Sequence, residues 1–532
     1  MTEMLLAAPA SGSGKTAVTC GMLALLKQKG KDPCAFKCGP DYIDPMFHRA
    51  VLGVESHNLD LYLAEEAQVR RLYHDCRGRH GSAVCEGVMG LYDGVGGTTV
   101  QASAWHVADT LDLPVILVLR PKGASLTLAA QIRGLAEFRQ PSHVAGVILN
   151  DCSDMLYRSL ADVLEWETGV PLLGYLPHME EARFESRHLG LYTAQEIGDL
   201  DTRIRAIAAR MEQTIDMERL ENLCSREAGV VRQHFSQIQE TPSIPAQTQE
   251  TEGVPVQTQK VPDIPVQTQK TAPIPAQKPE QPVRIAVARD EAFCFFYEES
   301  LEAFRQEGAE LVEFSPVHDS RLPENIHGLY LTGGYPELYL RELSANHSMR
   351  DSVAAAVRGG MPTVAECGGF LYLGQRLSGA ERTGTVHTGI LQEEGGAGAE
   401  GSPMCGVLPG SGVCRERLVR FGYSSLTAKK DSLLFRAGEE IPVHEFHYWD
   451  STDNGQDLHA VKPVSGRSWD CGFATDTLYA GFPHLYFAGH PQLTRRFLAA
   501  AGRYRDTAAA GRQKGHRQKS ETQEGKGEQT CG

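Results

Sequence analysis

Met-Leu-Leu-Ala-Ala-Pro-Ala-Ser-Gly-Ser-Gly-Lys-Thr, residues 4–16, is an apolar run that breaks at a Gly/Ser turn and ends on a lysine and a threonine. The run Met4–Ala8 has the length of a buried parallel strand, and Ala17–Lys29 repeats its apolar residues at helical spacing. A bound phosphate needs converging backbone N–H donors, a helix N-terminus, a lysine for charge and a hydroxyl beside magnesium. Ser11, Gly12, Ser13, Gly14, Lys15 and Thr16 supply these between a strand and a helix, so they are expected to bind a nucleotide. The usual spacing places a glycine five positions before the second glycine, where this chain has Pro9.

Working outward, Ala83–Glu86, Val115–Leu119 and Val144–Leu149 also read as buried strands, with a helical pattern over Ser125–Phe138. A second block repeats the alternation. Strands are expected at Arg284–Ala288, Glu310–Phe314, Gly328–Leu331 and Thr363–Glu366, and helices near Glu298–Gln306 and Arg350–Arg358. Two α/β domains with doubly wound sheets follow, each with its site at the carboxyl ends of its strands. The blocks span 1–232 and 283–505. Between them, 233–282 repeats a ten-residue unit rich in Pro, Gln and Thr, beginning at Ile244, Val254, Ile264 and Ile274. Such a composition buries too little apolar surface to offset its ordering entropy, so an extended linker is expected, and a disordered polar tail over 506–532.

The chain has 532 residues and a net charge of -15, which argues against a nucleic-acid partner. No apolar stretch is long enough for a membrane helix, and the N-terminus lacks a basic leader, so neither a membrane partner nor a signal peptide is expected. Thirteen cysteines without a regular framework suggest reduced thiols and a cytoplasmic location.

Magnesium beside phosphates needs carboxylates. Glu86 ends a strand and precedes Gly87-Val88-Met89-Gly90; Asp41 lies in Lys37-Cys38-Gly39-Pro40-Asp41-Tyr42-Ile43-Asp44-Pro45. Together with the Thr16 hydroxyl they are the expected metal ligands. The 37–45 stretch carries too many turn residues and charges for a core element. Asp44 before Pro45 and Asp93 before Gly94 read as turn acids.

The second block carries Thr363-Val364-Ala365-Glu366-Cys367-Gly368-Gly369-Phe370. A nucleophile on a sharp strand-to-helix turn projects outward, and a helix N-terminus favours its thiolate. Gly368 exposes an N–H for an oxyanion, and Gly334 of Leu331-Thr332-Gly333-Gly334-Tyr335 supplies a second. The thiol needs a base, and two stretches offer one: His444-Glu445-Phe446-His447 and Phe482-Pro483-His484-Leu485. Spacing does not choose between them.

Taken together, SGSGKT at 11–16, KCGPDYIDPMFH at 37–48, NLD at 58–60, EGVMGLYDG at 86–94, LTGGYPE at 331–337, AECGGFLYL at 365–373, HEFHYWD at 444–450 and GFPHLYF at 481–487 closely resemble the cobyrinic acid a,c-diamide synthases. The resemblance covers roughly 1–225 and 283–500. It implies a dethiobiotin-synthetase-like ATP domain, a class I glutamine amidotransferase domain, and Mg²⁺, ATP and glutamine as cofactor and co-substrates. The implied reaction is a carbon–nitrogen ligation in cobalamin biosynthesis that amidates the a and c acetates of a corrinoid. It implies Cys367 as glutaminase nucleophile and His484 as its base; Tyr42 and Ile43, beside Asp41, are placed to touch the corrinoid. The family usually has another His two residues after the base, where this chain has Tyr486. Its HEFH motif usually follows Gly, here Val443. Rival readings are the same chemistry on hydrogenobyrinic acid or a nickel-sirohydrochlorin, a cobyric acid synthase, and a P-loop regulatory ATPase fused to an inactive amidotransferase-like module. Self-association as a homodimer is left open.

Overall fold

Seven short apolar runs assemble into the first sheet: β1 (Thr2–Ala7), β2 (Pro33–Cys38), β3 (Ser56–Leu59), β4 (Ser82–Glu86), β5 (Val115–Leu119), β6 (Val144–Asn150) and β7 (Leu172–Leu176). The structure, a computed structural model, describes residues 1–182, 199–225, 282–379, 401–415 and 417–507, and the backbone of 186–187 and 190–191. The strands run in the order β3-β2-β4-β1-β5-β6-β7, all parallel. Side chains alternate across the pleat, so Leu5, Phe36, Leu117 and Leu149 enter one core while Met4, Ala35, Val84, Ile116 and Ile148 enter the other. Both faces are covered, as a parallel sheet requires. The chain leaves β1 to one side and later returns to its other side. The carboxyl ends around β1 and β4 therefore form a topological switch point.

The second sheet has the order Ala309–Phe314, Val283–Ala288, Gly328–Leu331, Thr363–Glu366, Leu478–Gly481, Phe473–Ala474, with only the last strand antiparallel. Its apolar residues again divide between two cores. The α/β class and the expected strands are present in both blocks.

Three elements differ from the sequence reading. Residues 33–38 form a buried strand although they carry Lys37. Asp44 and Pro45 do not lie in a turn; they sit in the first turn of a helix, Ile43–Ala50, where proline's missing N–H loses no hydrogen bond. A four-stranded antiparallel sheet, in the order Glu440–His447, Arg420–Ala428, Leu458–Val461, Ser468–Cys471, is inserted before Leu478–Gly481. It carries the His444–His447 stretch.

The linker expected at 233–282 lies, apart from its last residue, outside the described residues, as does the tail from 508 onward. Asp506 and Thr507 still belong to a helix over 491–507.

Candidate functional site

The loop after β1 turns into helix α1 (Lys15–Gln28) through Gly14, whose φ of 88° suits a residue without a side chain. Space gives a second reason for this glycine. A Cβ at Gly14 would lie 2.0 Å from Asn150 Nδ2, which itself donates to Ser13 O at 2.9 Å. Lys15 reaches across the loop and donates to Met89 O at 2.6 Å and Ala10 O at 3.3 Å. Burial, then the charge of Lys37, pull its ammonium down to about 8.

Thr16 Oγ1 donates to Glu86 Oε1 at 2.7 Å. Glu86 and Lys37 are register partners on adjacent strands, and Lys37 Nζ donates to the same Oε1 at 3.0 Å. Lys37 also pairs with Asp44, and Asp41 Oδ2 is 4.0 Å from it. His48 Nε2 approaches Glu86 Oε2 at 3.8 Å. Lys37, Asp44, His48 and Glu86 are almost fully buried, whereas Thr16 is half-buried and the Asp41 side chain is 33% exposed. Burial and the nearby Asp44 push the Glu86 carboxyl up to about 7. Asp44 moves the other way, because Lys37 outweighs the burial that would raise it. Burial drives His48 down to about 3, so it is neutral. Asp41 Oδ1 accepts the N–H groups of Ile43 and Asp44 and so caps the helix that carries Asp44.

Of the expected metal ligands, Thr16 and Glu86 meet directly, and Asp41 stands at the edge of the same cluster. Lys37, Asp44 and His48 were not singled out from sequence as part of it. Their signal was a lysine in an otherwise apolar strand, since a buried charge demands partners. Asp93 is a turn acid as expected, accepting Gly90 N–H at 2.9 Å.

In the second domain Cys367 follows the strand Thr363–Glu366 at φ 48°, ψ -101°, and the helix Gly368–Leu373 begins immediately after it. A positive φ on a non-glycine residue is strained, and such strain concentrates at functional sites. Cys367 N–H donates to Gly481 O at 2.8 Å, which fixes the elbow beside the strand leading to His484. A Cβ on Gly368 would lie 2.9 Å from Gly334 N, so the two expected oxyanion donors are neighbours and the approach excludes a side chain.

His484 Nδ1 is 3.7 Å from Glu366 Oε2. Burial works against protonation of His484, yet Cys367 and Glu366 hold its imidazole up to about 10. The competing His447 is occupied elsewhere. Its ring stacks on Phe482 with centroids 3.8 Å apart, Nε2 lies 3.1 Å from Glu445 Oε2, and Nδ1 lies 2.6 Å from Trp449 O.

A cavity of about 760 Å³ reaches Thr16 at the edge of the first half-site and His484 at the edge of the second. Thr16, Asp41, Tyr42, Ile43, Asp44 and Met89 line it from the first domain, and Phe295, Phe421, Tyr423, His444, Lys462 and His484 from the second. Tyr42 joins the halves: its ring stacks on Phe295 at 5.4 Å and lies 5.1 Å from the His484 ring. The contacts of Tyr42 with Phe295 and with Tyr297, whose ring centroid lies 4.6 Å away, had no sequence signal, because they depend on how the domains meet.

Two family descriptions match the chain: a CobQ/CobB/MinD/ParA nucleotide binding domain over residues 4–191 and a CobB/CobQ-like glutamine amidotransferase domain over 284–492. Proteins named cobyrinate a,c-diamide synthase are similar over nearly the whole length. The one from Caldanaerobacter subterraneus subsp. tengcongensis is 34% identical over 497 residues, 93% of this chain and 97% of that protein. The Clostridium tetani protein is 32% identical, covering 94% and 100%. The Salmonella typhimurium protein is 34% identical, covering 94% and 98%.

Proposed function

We infer that this chain, which belongs to the cobyrinate a,c-diamide synthase family, is an ATP- and glutamine-dependent ligase that converts the a and c acetate carboxylates of cobyrinic acid to amides in cobalamin biosynthesis. The observation that carries this reading is the single cavity with Thr16 and Asp44 on one wall and His484 on another. Its walls at Val88, Phe421, Phe446 and Val464 suit a broad apolar macrocycle, and Lys462, whose N–H groups donate to Phe421 O, Gly422 O and Tyr423 O, places a positive charge in the wall.

The loop 11–16 and Lys15 receive the phosphates of ATP. A substrate carboxylate oxygen attacks the γ-phosphorus, the bond to ADP breaks, and an acyl phosphate forms. Activation is needed because the oxyanion of a carboxylate leaves very poorly, whereas phosphate leaves readily; positioning and charge neutralisation supply most of the acceleration. Cys367 sulfur attacks the side-chain amide carbon of glutamine as His484 takes the thiol proton, with the oxyanion facing the N–H groups of Gly334 and Gly368. The carbon–nitrogen bond breaks as His484 delivers a proton, and ammonia leaves. Water hydrolyses the thioester to glutamate. The ammonia lone pair attacks the acyl carbon and phosphate departs, leaving the amide. Tyr42 and Ile43 contact the corrinoid.

Magnesium fits the first half-site, since Glu86 Oε2 is buried without a hydrogen-bond partner and the Thr16 hydroxyl lies on the same carboxylate. Thr16, Glu86 and Asp41 would hold it, and when bound it neutralises phosphate charge. The compartment is cytoplasmic, supported by the scattered cysteines; among the described residues no helix is long and apolar enough to cross a membrane.

The test is an assay of the purified protein with Mg-ATP and glutamine against cobalt, metal-free and nickel tetrapyrrole acids. Cobyrinic acid is expected to yield a diamide, with ADP and glutamate. Amidation of only the metal-free or the nickel acid would contradict the substrate, and absence of glutamine hydrolysis would contradict the chemistry.

A further inference from the structure

We infer that Glu366 is the positioning residue of the glutaminase, the carboxylate that orients His484 and stabilises its imidazolium. The inference rests on the reading of Cys367 and His484 as nucleophile and base.

Glu366 is the last residue of its strand, 1% exposed and adjacent in sequence to Cys367. Each of its oxygens has a neutral donor: Oε1 accepts Leu485 N–H at 2.9 Å and Oε2 accepts the Tyr330 hydroxyl at 2.9 Å. Leu485 follows His484 directly, so the first bond fixes the backbone that carries the base. Neutral donors leave the charge of a buried carboxylate uncompensated, and such a charge is stabilised by a paired cation. The basic group it faces is His484, whose Nδ1 is 3.7 Å from Oε2, buried and without a hydrogen-bond partner.

The other groups around His484 do not fill this role. The His444 backbone pairs with that of His484, accepting its N–H at 2.9 Å, but burial and His484 itself pull the His444 imidazole well below its usual range, so it is neutral. Tyr42 presents a ring face at 5.1 Å, and burial keeps its hydroxyl protonated. Cys367 is the nucleophile itself. Tyr486, two residues beyond His484, turns away: its hydroxyl lies 3.5 Å from Asn58 O of the first domain and its ring packs edge-on to Tyr297.

A small rotation of the imidazole closes the gap, and hydrogen bonds in such sites are often long until substrate binds. With Nδ1–H held by Glu366, Nε2 is left to exchange a proton with the thiol and the departing ammonia. The carboxylate comes from the residue before the nucleophile, not from the segment that carries the base.

The test measures glutaminase kcat and KM of the full chain from roughly pH 6 to 10 for Glu366→Gln, Glu366→Asp and Cys367→Ser. Glu366→Gln is expected to lower kcat on the order of 10²- to 10⁴-fold with little change in KM. It should also move the basic limb to lower pH, because the imidazolium loses its counter-charge. Glu366→Asp is expected to fall between this variant and the parent on both measures. If Glu366→Gln keeps the parent's kcat and basic limb, or loses activity only through KM, the inference is overturned. Should Glu366→Gln fail to fold, Glu366→Asp decides alone: an unshifted basic limb overturns the inference equally. Cys367→Ser separates the two levels. If it retains glutaminase activity, the pair itself is misassigned; if it is inactive while the Glu366 variants match the parent, only the role of Glu366 falls.

Discussion

The Thr16 hydroxyl donates a 2.7 Å hydrogen bond to Glu86 Oε1, tying the first turn of α1 to the carboxyl end of β4. The same oxygen accepts from Lys37, so one carboxylate joins the phosphate loop to the acids around Asp44. In the proposed reaction this carboxylate offsets the magnesium that accompanies ATP. Glu86→Gln preserves shape and removes the charge. Amide synthesis should fall by at least about a hundredfold with either glutamine or ammonia, since both donors need the same acyl phosphate. Basal glutaminase activity should persist. Ammonia-dependent synthesis at saturating Mg-ATP reads the effect, and a variant retaining most of the parent rate would remove Glu86 from the phosphoryl-transfer site.

The two histidine stretches separate by what each ring touches. His484 faces Glu366 and Cys367, whereas His447 is stacked on Phe482 and bonded on both nitrogens. His484→Asn should lower glutaminase turnover about 10²- to 10⁴-fold. His447→Asn should instead lower the thermal midpoint and leave turnover of the folded fraction near the parent's. The reverse order of turnover would move the base to His447.

Much of this was legible in the sequence, and what was not has identifiable causes. Strands such as Val115–Leu119 and Gly328–Leu331 were readable because burial on both faces leaves an uninterrupted apolar run. The phosphate loop and the Cys367 elbow were readable because each needs small residues at fixed offsets. That Lys37 and Cys38 end a buried strand is hidden in the sequence, because Lys37 and the following Gly39-Pro40-Asp41 look solvent-exposed; only in three dimensions do Asp44 and Glu86 neutralise that lysine. Asp44 was misread because a residue before proline usually leaves the helical region, while here both begin a helix. The antiparallel sheet around His444 depends on pairing between distant segments, which local periodicity does not report. Glu366 was visible as a letter beside the nucleophile, but its relation to His484 emerges only when Leu478–Gly481 pairs with Thr363–Glu366.

Gly334 tests the oxyanion geometry. A Cβ there would meet Ala292 O at 2.0 Å, so the backbone must shift and carry its N–H away from Gly368. Gly334→Ala should lower glutaminase kcat about 10²- to 10³-fold, as loss of one oxyanion donor does. Ammonia-dependent synthesis should be spared. A steady-state glutaminase assay showing parent-like kcat would place the oxyanion elsewhere.

The domains also meet through a buried charge. His57 Nδ1 is 3.5 Å from Glu299 Oε2 of the second domain, and His57 Nε2 is 2.9 Å from Glu55. Burial opposes its protonation, but Cys76, Glu299 and Glu55 hold the His57 imidazole up to about 11. A raised folded-state value means that the contribution is fully present below the unfolded histidine value, about 6.5, and is lost as pH rises through the folded one. His57→Gln should therefore destabilise the protein most below about pH 6.5, by roughly 3 kcal/mol, and progressively less toward alkaline pH. Denaturant melts of parent and variant across that range check the slope; a difference that grows with pH would contradict the ion pair.

If Cys367 produces the ammonia that a separate ATP-dependent site consumes, the two nitrogen donors must part company once its thiol is removed. The most direct measurement compares amide synthesis by the parent and by Cys367→Ser with glutamine and with saturating ammonium as nitrogen donors. Cys367→Ser should lose glutamine-dependent synthesis and keep the parent's ammonia-dependent rate, because Thr16, Lys15 and Glu86 are untouched. Equal loss with both donors, or synthesis from glutamine that survives the substitution, would contradict it.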